Sequence, residues 1–243
     1  MDHINSDLIA AVRAELARAA DPTKAPTMRA YMKSEMPYLG VSLPAVRAVC
    51  QTVFADYPLA SFEEWRDTAL SLWRTAQFRE ERYAALALTG DRRYRDYQRP
   101  AVLPMYEEMI VSGAWWDYVD EVATHRIGPL LARYPETIRP ELRVWSRDDN
   151  LWKRRAAILA QIGFKANTDE ELLFACIGPN LSDRDFFIRK AIGWALREYA
   201  KTNASAVRRF VRDHEASLSP LSRREAMKHL RDDEHAGDSD ALA

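Results

Sequence analysis

Glycine is scarce in this sequence, 8 in 243 residues, and no glycine-rich phosphate loop can be assembled from so few. That excludes the P-loop NTPases and the dinucleotide-binding enzymes. No nucleophile elbow of the G-x-S-x-G type is present either. The 2 cysteines, Cys50 and Cys176, are far apart, stand in apolar surroundings and are not paired as CxxC. They read as two free buried thiols of a cytoplasmic protein. Nothing local supports Cys50 and His125 as a nucleophile and its base. The 5 histidines have no partner at metal-ligand spacing, so neither a zinc site nor any other metal or cofactor is expected. No apolar run reaches the roughly 18 residues that a membrane span needs. The first twenty residues are amphipathic and carry acids, unlike the basic start and apolar stretch of a signal peptide.

What is abundant favours helix. Ala, Leu, Arg and Glu are frequent, and these residues form helices readily. Hydrophobic residues make up 47% of the chain, enough for a substantial core, and 7 tryptophans are among them. The net charge is -1, but it is unevenly placed. Residues 1–140 carry a net of -2, residues 141–231 a net of +6 and residues 232–243 a net of -5. A basic block followed by an acidic tail suits phosphate binding, and it equally suits a solvated helical surface.

Helical periodicity runs through the chain. Residues 4–18 place Leu8, Ile9, Val12 and Leu16 on one face. Pro26 opens a helix. Gly40 is expected to end one helix in the left-handed conformation, with Ser42 capping the next and Pro44 in its first turn. Further helices are predicted over 61–73, 78–89, 97–111, 115–124, 127–133, 137–146, 150–163, 168–177, 183–200, 204–214 and 220–231. No strand is predicted. The reading is an all-α chain with one domain over 1–231 and an acidic, disordered tail over 232–243.

An internal repeat is visible in Arg82–Leu86, Arg154–Ile158, Arg189–Ile192 and Arg223–Met227. Asp120, Arg155, Lys190 and Glu225 follow one another at intervals of 35 residues. That period fits HEAT- or TPR-like helical hairpins, which stack into a curved solenoid with a concave binding surface. Residues one period apart occupy equivalent places on successive repeats. Trp116 precedes Asp120 by one helical turn and Trp194 follows Lys190 by one turn. Two indoles, a carboxylate and cations therefore share one strip, where a charge is unlikely to face the core. Taken singly, each tryptophan is also an ordinary core residue.

These residues carry a family resemblance. The chain resembles the HEAT-like-repeat DNA glycosylases, the family of the bacterial alkylpurine DNA glycosylase AlkD, over about residues 5–231. The strongest segments are Tyr31-Met32-Lys33, Leu39-Gly40-Val41, Trp115 to Asp120, Asp149 to Trp152 with Arg155 to Leu159, Phe186 to Ile188, and Lys190 to Asn203. At Ser42 a relative carries a longer polar residue. The resemblance implies a HEAT-like solenoid that holds duplex DNA along its concave face. It places the catalytic carboxylate at Asp120 and the two sugar-contacting indoles at Trp116 and Trp194. It places a backbone-holding arginine at Arg155 and a DNA-approaching tyrosine at Tyr31; Lys190 and Arg197 are added as phosphate contacts. The implied activity is excision of cationic alkylated purines, 3-methyladenine and 7-methylguanine, from duplex DNA, by a monomer without lyase activity and without tight base flipping. Two other readings stand beside it: a non-catalytic relative that binds damaged or branched DNA, and a protein-binding scaffold.

Overall fold

A computed structural model of the protein describes residues 3–230. The expected acidic tail lies outside the described residues. Among the described residues the helices are α1 (Ser6–Arg18), α2 (Ala25–Met32), α3 (Leu43–Asp56), α4 (Phe62–Arg74), α5 (Arg79–Thr89), α6 (Leu103–Gly113) and α7 (Trp116–Val122). They continue with α8 (Gly128–Arg133), α9 (Pro135–Trp145), α10 (Leu151–Leu159), α11 (Glu170–Ile177), α12 (Phe186–Ala200), α13 (Ala204–Asp213) and α14 (Pro220–Ala226). No strand occurs among these residues. The chain groups into two compact units, Met1–Met109 and Ile110–Ala243, divided inside α6.

In the first unit α1, α3, α4 and α5 pack on one another. The anticipated stripe of α1, Leu8, Ile9, Val12 and Leu16, is buried, as are Trp65 and Trp73 of α4. Asn5 caps α1 by accepting from the Leu8 amide at 2.9 Å, and Ser61 caps α4 by accepting from the Glu64 amide at 3.1 Å. Gly40 behaves differently from expectation. Helix α2 already ends at Lys33, whose φ of 47° takes the left-handed place. Gly40 is left-handed too, with φ +87°, but it lies in a non-helical segment where a Cβ would stand 2.0 Å from the Asp21 carbonyl oxygen. The amides of Leu39, Gly40 and Val41 donate to the buried Glu80 carboxylate at 3.0, 2.9 and 3.1 Å. Ser42 stands at the start of α3 but makes no capping bond through its side chain.

The second unit holds the repeat. Helices α7, α10, α12 and α14 begin 35, 35 and 34 residues apart, and α9, α11 and α13 begin 35 and 34 apart. The cap residues repeat with them. Asn150 accepts from Trp152 and Lys153, Asp185 from Phe187 and Ile188, and Ser219 from Ser222. Helix α10 packs on α7, α9, α11 and α12, and α12 packs on α13 and α14.

Boundaries differ from the periodicity in places. The helix predicted over 97–111 is broken into tight turns at Arg92–Tyr97 and Pro100–Val102 before α6 starts. Pro100 has no amide to continue a helical ladder. The helices predicted over 115–124 and 127–133 are joined by one wide turn, Ala123–Ile127. Helix α10 stops at Leu159, short of 163; α12 begins at Phe186, where Asp185 caps it, rather than at 183. Helix α14 ends at Ala226.

Candidate active site

Asp120 lies on α7, in the turn after Trp116. Arg155 lies at the matching point of α10, and the 35-residue period brings the two side chains together. The Arg155 Nε donates to Asp120 Oδ1 at 2.7 Å and a terminal nitrogen donates to Oδ2 at 2.8 Å. This is a bidentate fork, the strongest arrangement the two groups offer. The other terminal nitrogen donates to the Phe187 carbonyl in the first turn of α12 at 2.5 Å. One guanidinium thus spans three successive helices. The pair is nearly enclosed: the side chains are 6% exposed for Arg155 and 15% for Asp120. Burial pushes the Asp120 carboxyl above its ordinary value, and the Arg155 bonds oppose that shift without cancelling it.

The sequence assigned Arg155 to the DNA backbone. In the structure its guanidinium is turned inward, and three of its five N–H groups are engaged by Asp120 and Phe187. It acts first as the holder of the carboxylate.

An aromatic wedge supports this arrangement. The rings of Trp115 and Trp152 stand 6.2 Å apart, Trp115 and Phe187 5.5 Å, and Trp152 and Phe187 5.0 Å. The wedge ties the starts of α7, α10 and α12 together and fixes the carbonyl that Arg155 uses. Trp116 and Trp194, on α7 and α12, are both half-buried.

The second expected group is arranged otherwise. Lys190 Nζ stands 2.9 Å from Glu225 Oε1, and a terminal nitrogen of Arg197 stands 2.5 Å from Oε2. Two cations share one acid, which is 18% exposed. The close approach depends on Gly193, where a Cβ would meet the Glu225 Cβ at 2.5 Å and the Ser222 carbonyl at 3.0 Å. The Lys190 bond holds the Glu225 carboxyl below its ordinary value. Both expected phosphate contacts thus carry an internal counter-charge. Tyr31, on α2 in the first unit, is 77% exposed.

The period located Glu225 but said nothing of its pairing, and the Phe187 carbonyl left no sequence signal at all. Both thiols are free and buried, and burial pushes each up to about 12. Among the described residues no cluster of His, Cys, Asp and Glu could hold a metal ion, and no helix is long and apolar enough to cross a membrane.

The family model described as DNA alkylation repair enzyme matches residues 12–230. The chain belongs to this DNA alkylation repair family. A structure from Enterococcus faecalis, described as a predicted DNA alkylation repair enzyme, is 28% identical, with a TM-score of 0.76 over 88% of this chain and 97% of that one. AlkD2 from Streptococcus mutans shares the fold at 16% identity, with a TM-score of 0.60 over 84% of this chain and 98% of that one. No curated protein matches the chain. Membership in the DNA alkylation repair family gives the charged pair a context. A carboxylate repels phosphate, so a nearly enclosed acid in a DNA repair protein needs a reason beyond affinity for DNA.

Proposed function

We propose that this chain is a monofunctional DNA glycosylase that hydrolyses the N-glycosidic bond of cationic alkylated purines, 3-methyladenine and 7-methylguanine, in duplex DNA. The observation that carries the reading is the Asp120 carboxylate, gripped on both oxygens by Arg155 on a helix face that also bears Trp116.

The chemistry asks little of the protein. Alkylation at N3 of adenine or N7 of guanine makes the base cationic, and a cationic base leaves readily. The C1′–N bond breaks, its electron pair neutralises the departing purine, and positive charge develops on the sugar as in glycoside hydrolysis generally. Asp120 faces that charge as a fixed anion. A carboxylate has about four acceptor positions, and Arg155 fills two. The remaining lone pairs can orient a water whose oxygen bonds to C1′ and whose proton passes to the carboxylate or solvent. Arg155 positions the carboxylate, so the group needs no reorganisation as charge develops. The indole faces of Trp116 and Trp194 attract the cationic nucleotide, each by roughly 0.5–2 kcal/mol. No amine nucleophile is required, so strand cleavage by lyase chemistry is not expected. Tyr31 is assigned to the DNA approach on its exposure.

A second reading, an inert relative that binds damaged or branched DNA, draws on the same pair: an Asp120 held on both oxygens by Arg155 serves structure alone. Release of free base from DNA methylated at guanine N7 separates the two. The glycosylase reading expects release by the wild type and its loss in Asp120→Asn. Release no faster than from DNA alone would reject the activity, and equal release by both proteins would reject Asp120.

A further inference from the structure

The register that pairs Asp120 with Arg155 has a neighbour. One residue earlier, successive helices carry Val119 on α7, Arg154 on α10, Arg189 on α12 and Arg224 on α14. Val119 is fully buried, so the row of arginines starts at α10. We propose that Arg189 and Arg224 form a phosphate-binding row that holds the DNA backbone beside the Asp120 row, while Arg154, their equivalent on α10, is already bound to Asp183. The proposal rests on the preceding reading only in taking duplex DNA as the partner.

Arg154 and Arg189 are tied to the N-terminal edge of their helices. Arg154 donates to the carbonyls of Asp148 and Asp149 at 2.8 and 2.9 Å and to Asp183 Oδ2 at 2.9 Å. Arg189 donates through Nε to the Asp185 carbonyl at 3.3 Å. Among the described residues, both terminal nitrogens of Arg189 are without a partner, and the exposed Arg224 has none at all. Free donors therefore increase from α10 to α14.

Three carboxylates of this edge are already committed. Asp148 is paired with Lys153 at 2.6 Å and accepts from the Asn150 amide at 2.9 Å. Asp183 takes Arg154 and the Asp185 amide, the latter at 2.8 Å. Asp185 caps α12 through the amides of Phe187 and Ile188. None of the three is left to neutralise Arg189 or Arg224. Lys190 and Arg197, by contrast, already share Glu225. Adjacent helices pack about 8–10 Å apart, and duplex DNA presents a charge about every 1.7 Å along its axis. A row at helix spacing therefore meets phosphate at each step without reading sequence, as a repair protein searching for rare lesions requires.

The test is the salt dependence of binding to undamaged duplex DNA by Arg189→Gln, Arg224→Gln and the double variant. Lys165→Gln, an exposed cation beyond the C-terminal end of α10, serves as control. Each released phosphate contact lowers the slope of log K against log salt by about 0.9. Each arginine variant is expected to lose about that much and the double variant about twice as much, with the control unchanged. Unaltered slopes in the arginine variants overturn the row, as does an equal loss in the control, which would mean diffuse attraction. Absence of wild-type duplex binding overturns it too. Base release from methylated DNA, measured on the same preparations, keeps the two ideas apart. Lost slope without release in any preparation leaves the row standing and removes the glycosylase. Release with unaltered slopes does the reverse.

Discussion

Asp120–Arg155 and Lys190–Glu225 occupy the same register two repeats apart, yet the two pairs behave oppositely. The first is nearly sealed, one acid against one guanidinium, and burial raises the acid's affinity for its proton. The second sets a similarly covered acid between two more exposed cations, and hydrogen bonding lowers that affinity. The repeat supplies a charge facing the next helix in both places. The surroundings decide its use: desolvation makes the first carboxylate a costly group that must be held, while hydrogen bonding from Lys190 makes the second an ordinary anchor. A costly, held anion one helical turn from the half-buried Trp116 is suited to chemistry, and an anchor to packing.

The widest break in this comparison comes from Asp120→Asn. Loss of a preorganised charge at a reacting centre costs on the order of 10²–10³-fold in rate. Base release should fall by that factor, while the matching change Glu225→Gln should leave release within about twofold of wild type. Comparable losses in both variants would show that the register, and not the enclosure of Asp120, sets activity. The next effect is on stability. Removing Arg155 by Arg155→Met leaves a buried carboxylate without its partner, a change that costs about 3–5 kcal/mol. Chemical denaturation should show that loss, and the double variant Asp120→Asn with Arg155→Met should recover part of it. Additive losses would show the two side chains acting independently.

Much of this was legible in the sequence because a repeat writes its geometry into residue spacing. The interval of 35 residues placed Asp120, Arg155, Lys190 and Glu225 in one row, and the bonds within Asp120–Arg155 and Lys190–Glu225 follow that row. The all-helical fold and the buried face of α1 followed from periodicity. What spacing cannot carry is the direction in which a long side chain turns. Arg155 was expected to reach outward to phosphate, but in a helix row shared with a carboxylate its fork finds the nearer acceptor. Backbone partners leave no residue signal, so the Phe187 carbonyl was unforeseen. Gly40 shows the same limit. Its left-handed backbone was anticipated, but its cause is the approach of the Asp21 carbonyl, a contact between the α1–α2 connection and the segment before α3.

A smaller effect probes how the second pair is assembled. Gly193→Ala puts a methyl where the Glu225 Cβ and the Ser222 carbonyl already lie, at 2.5 and 3.0 Å. Neither neighbour is the free end of a flexible side chain. Overpacking of this kind costs about 1–3 kcal/mol, read as a lower denaturation midpoint at unchanged slope. The shift of α14 should also loosen Lys190 and Arg197 from Glu225. An unchanged midpoint would mean that α14 moves freely, and that the second pair is not fixed by packing.

The finest distinction is in the response to pH. Asp120 has a raised proton affinity in the folded state, so between its ordinary value and the raised one the folded chain binds more protons than the unfolded. Stability from this group is present below its ordinary value and is lost as pH rises through the raised one. Glu225 has a lowered value, so its contribution is present above the ordinary value and is lost as pH falls through the lowered one. Because Glu225 is partly open to solvent, its share should be no more than about 0.5–1 kcal/mol. Stability measured across the acid range should therefore lose a falling component in Asp120→Asn and a rising one in Glu225→Gln. If Asp120 acts as an anion, the rate of base release should fall, as pH is lowered, already above the ordinary carboxylate range. If both variants flatten the profile in the same direction, the two pairs are one kind of salt bridge, and the enclosure of Asp120 carries no special chemistry.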